Sequence, residues 1–490
     1  MQKVKKRLKI FLLVIAVLYC LLLIPDKENS NAAAQDSKPF SWGLDAYWKQ
    51  LEQDYEKRKN ENGLQVDSAI NILLTEEEAL YNSLSGDKIN AYDTRLDTIL
   101  SNYFQLASLV AARPAYRQQL VGYYILVRKE IKHQSNNWYV KDNRTGNIIY
   151  KLLYGMRIAI EEVLLQTDSI PFEPVINVED EKSVTPAASL IGIRVHSGDL
   201  FLSRGGAEVS ALISRGNNYP GNFSHVALLY VDEKTGVPYL IEAHIEKGVA
   251  VSSAEQYIKD KKLRFMVLRP RADLPQLRDD AKMPHKAAML MYQAALSRHI
   301  PYDFKMNFND SAAMFCSEVG SFAYRKFGLQ LWQSSSSISS QGVIKWLSDF
   351  GVENFITQMP SDLEYDPQLS VVAEWRNPET LMKDHIDNAV MDALLEQADK
   401  GKTIDYNIWQ LPIVRVVKLW CVIKNLFGGV GIIPEGMSAT RALKNNSFVS
   451  MYNDVKEKTE LSAHQFMKEH QYHPPYWQLV AIARNAAEGK

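Results

Sequence analysis

The sequence contains few cysteines: three occur among 490 residues, at positions 20, 316 and 421. Small exported folds held together by disulfides need more cysteines, and structural zinc sites usually need them in closely spaced pairs. Three widely separated thiols fit neither class. Any thiol chemistry must therefore come from one of these three residues.

The chain also lacks a net charge of either sign. The sequence has 56 Lys and Arg residues against 57 Asp and Glu residues, a formal net charge of -1. A protein whose main partner is nucleic acid usually has a basic excess, so we expect no nucleic-acid partner. Hydrophobic residues make 46% and charged residues 23%, which is typical of folded globular protein and excludes wholesale disorder. The length predicts roughly two to four domains.

Long apolar runs are scarce, and the clearest one is at residues 10–24. Five cations and no acid precede it, namely Lys3, Lys5, Lys6, Arg7 and Lys9. The chain after residue 24 therefore has 51 of the 56 cations and all 57 acids. A basic start followed by an apolar run is the layout of a secretory signal peptide or an uncleaved membrane anchor, with its N-terminus inside.

Two observations on residues 1–34 disagree on whether this segment is cleaved from the chain. Fifteen helical residues rise only about 22 Å, less than the roughly 30 Å of a bilayer core, which favours a removable signal. The Ala-x-Ala cleavage pattern at residues 32–34 follows the apolar run at a distance that makes cleavage weak, and this favours an anchor. Signal peptide and inner-membrane anchor both stay open. Either one predicts that the remainder of the chain is periplasmic or otherwise extracytoplasmic, in the cell envelope.

Helical patterns flank a central region on both sides. Apolar residues at three- and four-residue steps predict a helical domain over residues 36–180 and a helical C-terminal region over residues 376–490. We interpret the acidic, proline-flanked residues 174–187 as a linker. Residues 411–434 are apolar but interrupted by cations, which argues against a membrane span and is compatible with a helix lying on a membrane surface.

The apolar pattern alternates with a period of two after residue 190. Predicted strands cover residues 198–203, 224–231, 238–245 and 263–270, and predicted helices cover residues 286–299 and 316–327. The turn sequence DEKTG joins the second and third strands as a hairpin. Strands followed by helices indicate an α+β fold, which we assign to residues 190–375.

Cys316 is the first residue of the second predicted helix of this region. A thiol at a helix N-terminus feels the positive end of the helix dipole, which lowers its pKa, and the backbone N–H groups there can bind an oxyanion. The alternative is that Cys316 is a small buried hydrophobic residue, which is the common role of an arbitrary cysteine. We interpret Cys421, with no histidine nearby in sequence, as a core residue.

The predicted hairpin brings two histidines and an acid together. If Val231 pairs with Pro238, the register places His225 opposite His244 and turns Glu242 to the same face of the sheet. An acid or a second imidazole beside His225 is the arrangement of a general base with an orienting group. Zinc held by these two histidines and Glu242 is the metal alternative.

Several segments in this order resemble the YaeF/YiiX-like family of permuted papain-fold cysteine amidases, in the NlpC-like superfamily. The segments are GDLFLSR at 198–204, SHVALLY at 224–230, IEAHIEKGV at 241–249, YDFKMNF at 302–308 and FCSEVGSFAY at 315–324. The histidine strand precedes the cysteine helix, as expected of the permuted form. The resemblance covers residues 190–375 and says little about either helical flank.

The resemblance implies roles for individual residues. Cys316 would be the nucleophile, His225 its base and Glu242 the third catalytic residue, although the hairpin register allows His244 at the third position as well. Tyr302 would line the substrate pocket, and we place His244 there too as a substrate-binding candidate. We expect no cofactor and no metal.

The expected function is that of a thiol-dependent hydrolase or acyltransferase of the bacterial cell envelope, acting on an amide, ester or thioester. Its substrate would be a peptidoglycan peptide or a lipid or lipoprotein acyl group, and its N-terminal segment would contact the membrane. Two alternatives remain: a lipid-directed acyltransferase or lipase of the same fold, and a non-catalytic envelope scaffold.

Overall fold

The computed structural model describes residues 2–26, 38–140, 142–167, 172–177, 181–260, 262–333 and 336–489 of the chain. The Ala-x-Ala pattern at residues 32–34 lies outside the described residues. The helices are α1 Gln2–Leu22, α2 Asp45–Lys59, α3 Gly63–Ser85, α4 Thr94–Ala112, α5 Arg117–Ser135, α6 Asn143–Tyr150, α7 Met156–Gln166, α8 Glu208–Arg215, α9 Ala254–Lys259, α10 Pro275–Asp279, α11 Met283–Ser297, α12 Cys316–Arg325, α13 Gln341–Phe350, α14 Leu381–Asp399, α15 Leu411–Leu426, α16 Ala439–His470 and α17 Tyr476–Glu488. The strands are β1 Val175–Asn177, β2 Ala187–Leu190, β3 Ile193–His196, β4 Leu200–Gly205, β5 His225–Val231, β6 Pro238–His244, β7 Gly248–Ser253, β8 Lys262–Pro270, β9 Ser336–Ser337, β10 Ile356–Thr357 and β11 Leu369–Arg376.

A seven-stranded antiparallel sheet lies at the centre of the fold, with strand order β1-β11-β8-β4-β5-β6-β7. Alternate residues of its strands face opposite sides. One face packs against α11 and α12, where Val226 and Leu228 of β5 meet Met291 and Val319. The other face buries Ala227 and its neighbours against α9 and the β2–β3 hairpin. The predicted α+β class is confirmed.

The four predicted strands correspond to β4, β5, β6 and β8, and their ends agree within two residues. The interpretation of residues 174–187 as a linker is wrong in part, because β1 pairs with β11 at one edge of the sheet, Val175 opposite Trp375. A three-residue strand is too short to show a period in the sequence. Its place in the sheet depends on β11, more than 190 residues further along the chain.

Helices α2–α7 form a bundle with a continuous apolar core, which includes Ile99, Tyr103, Val127 and Ile160. A second helical core lies on the C-terminal side, where α14, α16 and α17 pack with α8 and α13. Both flanks are thus helical, as the periodicity predicts. The residue ranges assigned to separate domains stay predictions.

A buried ionic network joins the N-terminal bundle to the sheet and to α14. The Glu161 carboxylate of α7 accepts hydrogen bonds from Arg264 of β8 at 2.6 and 2.9 Å and from Arg376 of β11 at 3.1 Å. His385 of α14 lies 3.1 Å from the same carboxylate. Burial alone would raise the pKa of Glu161, but the surrounding cations hold it well below its usual range. The network therefore holds three parts of the chain in one arrangement.

Helix α15 differs from its neighbours because it buries few side chains. Of its sixteen residues, Leu411, Pro412 and Cys421 are buried, and Cys421 is core as predicted. Cys20, Cys316 and Cys421 are all free thiols. Among the helices that the structure describes, none combines the length and the apolar character that crossing a membrane requires.

Candidate active site

The thiol of Cys316 lies at the first residue of α12, as the sequence predicts. The helix begins here because the Glu318 carboxylate accepts a hydrogen bond from the Phe315 N–H at 3.0 Å. Gly320 lets α12 lie close to the sheet, since a Cβ there would stand 2.8 Å from Leu200 Cδ2. Cys316 is 5% exposed, so its thiol sits at the buried interface between the helix and the sheet.

His225 begins β5 and lies beside this thiol. Its Nε2 lies 2.9 Å from Glu242 Oε2, which leaves Nδ1 for the hydrogen bond with Cys316. Cys316 Sγ also lies 3.9 Å from the carbonyl oxygen of Ser224, the residue before the histidine. The structure thus places the imidazole next to the thiol and in a hydrogen bond with the carboxylate.

The hairpin register agrees with the sequence prediction. Val231 pairs with Pro238 and Ala227 with Glu242 across β5 and β6. The rings of His225 and His244 lie 5.7 Å apart, so both imidazoles are on the same face as Glu242. The period of two along both strands accounts for this arrangement.

Glu242 lies between the two histidines and is fully buried. Its Oε1 lies 3.5 Å from His244 Nε2, while Oε2 contacts His225. Burial would raise the pKa of Glu242, but the hydrogen bonds and charges of both histidines lower it overall. Glu242 therefore contacts the imidazole next to the thiol, and His244 contacts the carboxylate.

The electrostatics of the site favour an ion pair between thiolate and imidazolium. Burial would lower the pKa of His225, but hydrogen bonds to Cys316 and Glu242 raise it to about 9. Burial would raise the pKa of the Cys316 thiol, but the hydrogen bond and charge of His225 lower it overall. A thiol with a lowered pKa is a nucleophile at neutral pH.

Tyr302 lies near Cys316. It forms an isolated parallel bridge with Met314, two residues before Cys316, and its ring contacts that of Phe304 at 5.1 Å. Burial, and then the charge of Cys316, raise the pKa of Tyr302 well above its usual range. Its hydroxyl therefore keeps its proton beside the thiolate.

Two features of the site could not be found from side-chain patterns. The Ser224 group that contacts Cys316 is a backbone carbonyl, which any residue at that position supplies. Ser203 pairs with His225 across β4 and β5, and that pairing depends on the sheet order. For Glu318, burial raises the pKa to about 8, and its hydrogen bond to Phe315 makes it a helix-capping residue.

The zinc alternative concerns His225, Glu242 and His244. Within the part of the chain that the structure describes, no three His, Cys, Asp or Glu side chains are placed to hold a metal ion. His225 and His244 instead direct their Nε2 atoms at the Glu242 carboxylate.

Comparison with known proteins identifies this part of the chain. Residues 194–373 match the family model of the permuted papain-like amidase enzymes, YaeF/YiiX, C92 family. This segment is a C92-family domain. The C92 domain spans the sheet strands β4–β8, helix α12 and most of β11, and it includes Cys316, His225 and Glu242. Membership confirms the predicted permuted papain-like class and supports a cysteine hydrolase-like activity.

A solved structure is similar to part of the chain. It is the crystal structure of metalloprotein yiiX from Escherichia coli O157:H7, with 21% sequence identity and a TM-score of 0.30. The similarity covers 37% of this chain and 98% of that chain. A search of curated proteins found no match. The assignment of the C92 domain therefore rests on the family model.

Proposed function

We propose that the C92 domain is a thiol-dependent hydrolase or acyltransferase that acts on an amide, ester or thioester. The observation that carries the proposal is that His225 lies beside the Cys316 thiol and contacts the Glu242 carboxylate at 2.9 Å. A buried carboxylate on one imidazole nitrogen and a thiol on the other is the arrangement that activates a cysteine nucleophile.

The reaction proceeds in two steps. The Cys316 thiolate attacks the carbonyl carbon, and backbone N–H groups at the start of α12 stabilise the oxyanion. The bond to the leaving group then breaks, and the His225 imidazolium gives its proton to that group. Water, or another acyl acceptor, gives a proton to His225 and displaces the thiolate from the acyl-enzyme. Glu242 keeps the imidazole oriented throughout.

The test is labelling with an acyl-based activity probe, followed by mass spectrometry that resolves individual cysteine peptides. Peptide resolution is needed because Cys20 is exposed and can react by itself. The probe should label Cys316 in the unaltered chain, and Cys421→Ala should leave that labelling unchanged. Loss of labelling in Cys316→Ala and in His225→Ala supports the triad. Equal labelling of the protein in all variants would contradict it.

The substrate class that we propose is a peptidoglycan peptide or a lipid or lipoprotein acyl group, bound beside Tyr302 and His244. One observation favours the lipid candidate: the exposed apolar helix α15 leads into a loop whose Gly436 packs against Phe304, next to Tyr302. Muropeptide analysis and lipidomics of a deletion strain distinguish the two classes. Accumulation of an uncleaved muropeptide would favour the peptide, and a changed acyl-chain profile the lipid.

We propose a cell-envelope location, with residues 1–34 as signal peptide or membrane anchor. The support is the cationic start followed by the apolar residues 10–24, which form most of α1. Cell fractionation combined with the intact mass of the protein tests this. A mature chain lacking residues 1–34 indicates a signal peptide, and a full-length chain in the membrane fraction indicates an anchor. A full-length chain in the cytoplasmic fraction would contradict both.

A scaffold without catalysis is the alternative from another class. A scaffold does not need a thiol, an imidazole and a carboxylate in contact, so their arrangement argues against it. A measured pKa of Cys316 near the ordinary thiol value of about 8.5 would favour the scaffold.

A further inference from the structure

The largest unexplained feature outside the C92 site is an exposed apolar surface on α15 and the loop that follows it. We define the α15 surface by its exposed apolar side chains, which are Trp409, Ile413, Val416, Leu419, Trp420, Ile423, Leu426, Phe427 and Ile432. Trp420 is 65% and Phe427 is 86% exposed. Single exposed apolar residues are common, but a contiguous set of this kind marks a binding surface.

The apolar side chains of α15 are arranged on one side of the helix. Leu411 and Cys421 are buried, and Leu411 packs with Ala439 and Leu443 of α16. Ile413, Val416 and Trp420 follow one another at three- and four-residue steps and point away from that contact. One narrow side of α15 therefore packs against the rest of the protein, and the broader apolar side stays uncovered in the described structure.

Helix α1 extends this surface. The Tyr19 hydroxyl donates a hydrogen bond to the Trp409 carbonyl at 2.9 Å. Arg415 of α15 donates to the Ile24 carbonyl at 2.5 Å and to Asp26 at 3.1 Å. The apolar residues of α1 from Ile10 to Leu21 are also exposed. Two exposed apolar helices thus meet at one end.

The charged side chains of α15 itself are all cations, although the Asp26 carboxylate lies beside the helix and pairs with Arg415. Residues 411–434 contain Arg415, Lys418 and Lys424 and no Asp or Glu. Lys418 is engaged by the carbonyls of Pro434 and Glu435, whereas Lys424 is exposed.

We propose that the α15 surface is a docking site for a bilayer that contains anionic phospholipid. Apolar and aromatic side chains with cations and without acids are the features of helices that lie in the membrane interface. Tryptophan is enriched at that depth, where its ring is apolar and its N–H can reach water. Exposed lysine and arginine complement the negative surface potential of anionic lipids.

The geometry connects the α15 surface to the C92 site. The chain after α15 returns through Glu435, which hydrogen-bonds His299 at 3.0 Å, and Gly436, which packs against Phe304. Tyr302, beside the nucleophile, contacts Phe304. The loop that follows α15 would therefore connect a bilayer on the α15 surface to the segment that precedes Cys316.

The experiment is co-sedimentation of the full chain with vesicles of equal amounts of phosphatidylglycerol and phosphatidylcholine. The double variant Trp420→Glu with Phe427→Glu removes two exposed anchors and adds two acids. Its matched control is Leu64→Glu with Leu461→Glu, which changes two residues that are 76% and 67% exposed, on α3 and α16. We expect the α15 variant to lower the partition coefficient about tenfold or more and the control to leave it unchanged. Equal binding by all three proteins would overturn the proposal.

A second measurement identifies the helix that inserts. Lipids brominated on their acyl chains should quench tryptophan fluorescence in the unaltered chain, and the quenching should decrease in Trp409→Phe with Trp420→Phe. Undiminished quenching in that variant would overturn the proposal, because some other tryptophan would then be in the bilayer. Equal binding to vesicles of phosphatidylcholine alone would overturn the requirement for anionic lipid.

Two controls distinguish membrane docking from the proposed catalysis and from self-association of the chain. Docking needs no catalysis, so Cys316→Ala should bind vesicles like the unaltered chain even if the proposed acyl transfer is wrong. If the α15 variant instead converts a dimer into a monomer in light scattering without vesicles, a second copy of the chain covers the surface and the membrane proposal fails.

Discussion

Glu242 Oε2 lies 2.9 Å from His225 Nε2, across the adjacent strands β5 and β6. The same carboxylate has its other oxygen 3.5 Å from His244. One buried acid therefore contacts both imidazoles, and only His225 contacts Cys316. These unequal contacts give different predictions for the two residues that compete for the third catalytic position.

Glu242→Gln should lower the rate of acyl-enzyme formation by roughly two orders of magnitude. The amide keeps the size of the side chain but loses the charge that raises the pKa of His225 toward 9. His244→Asn should lower the rate less than tenfold, because His244 reaches His225 only through the carboxylate. Single-turnover kinetics with an acyl probe measures both. A larger loss in His244→Asn than in Glu242→Gln would place His244 in the third position.

The reactivity of Cys316 should depend on pH in a way set by its ion pair with His225. Since the pKa of the thiol is lowered, its alkylation rate should rise to a plateau below the ordinary thiol pKa of about 8.5. Acyl transfer should then fall as pH rises through about 9, where His225 loses the proton that the leaving group needs. Iodoacetamide kinetics on the Cys316 peptide tests the first part.

His225→Ala provides the control for this profile. Without the imidazolium, the alkylation rate should keep rising until pH exceeds the ordinary thiol value, because burial then acts on the thiol without a compensating cation. Identical profiles for the variant and the unaltered chain would show that His225 does not set the pKa of Cys316.

Glu161→Gln should destabilise the fold by roughly 3 kcal/mol, since it removes the charge of a buried carboxylate that Arg264 and Arg376 share. Both guanidinium groups lose one charged acceptor in this variant, although Arg264 keeps Asp384 and Arg376 keeps Glu374. Chemical denaturation measures the change in the free energy of unfolding. Glu396→Gln is the control: its partner Arg484 is 46% exposed, and an exposed pair contributes about 1 kcal/mol or less. Similar effects of the two changes would contradict a structural role for the network.

Gly248→Ala should destabilise the fold more than Gly236→Ala, although both glycines have a φ near +70°. A Cβ at Gly248 would stand 2.1 Å from the Ile300 carbonyl oxygen, whereas nothing lies within 4 Å of one at Gly236. Backbone strain alone costs about 1 kcal/mol at Gly236, and the clash adds to it at Gly248. Thermal unfolding of the two variants compares them. Equal shifts in Tm would show that the strand end at Gly248 moves freely.

Activity gives a second readout for Gly248→Ala. Ile300 precedes Tyr302 by two residues, and its carbonyl accepts the Val249 N–H at 2.8 Å. Displacement of that segment should reduce the labelling of Cys316 in folded Gly248→Ala protein, while Gly236→Ala should keep full labelling.

The sequence by itself determined the local structure of the C92 site. Alternating residues and one turn sequence predict the β5–β6 hairpin and the register that turns Glu242 and His225 to one face, because a hairpin pairs neighbouring residues. The helix that begins at Cys316 follows from its own apolar spacing. The order of the family's segments predicts the permuted papain-like class.

Only the tertiary structure decided what depends on residues far apart in the chain. The edge pairing of β1 with β11, the ionic network around Glu161 and the return of the α15 loop to Phe304 each join segments more than 100 residues apart. The periodicity of apolar residues does not predict such contacts, since they form when separate cores pack together. The chemistry of the site also depends on tertiary packing. The packing of α12 on β5 places Cys316 beside His225 and thereby shifts the pKa values of both side chains.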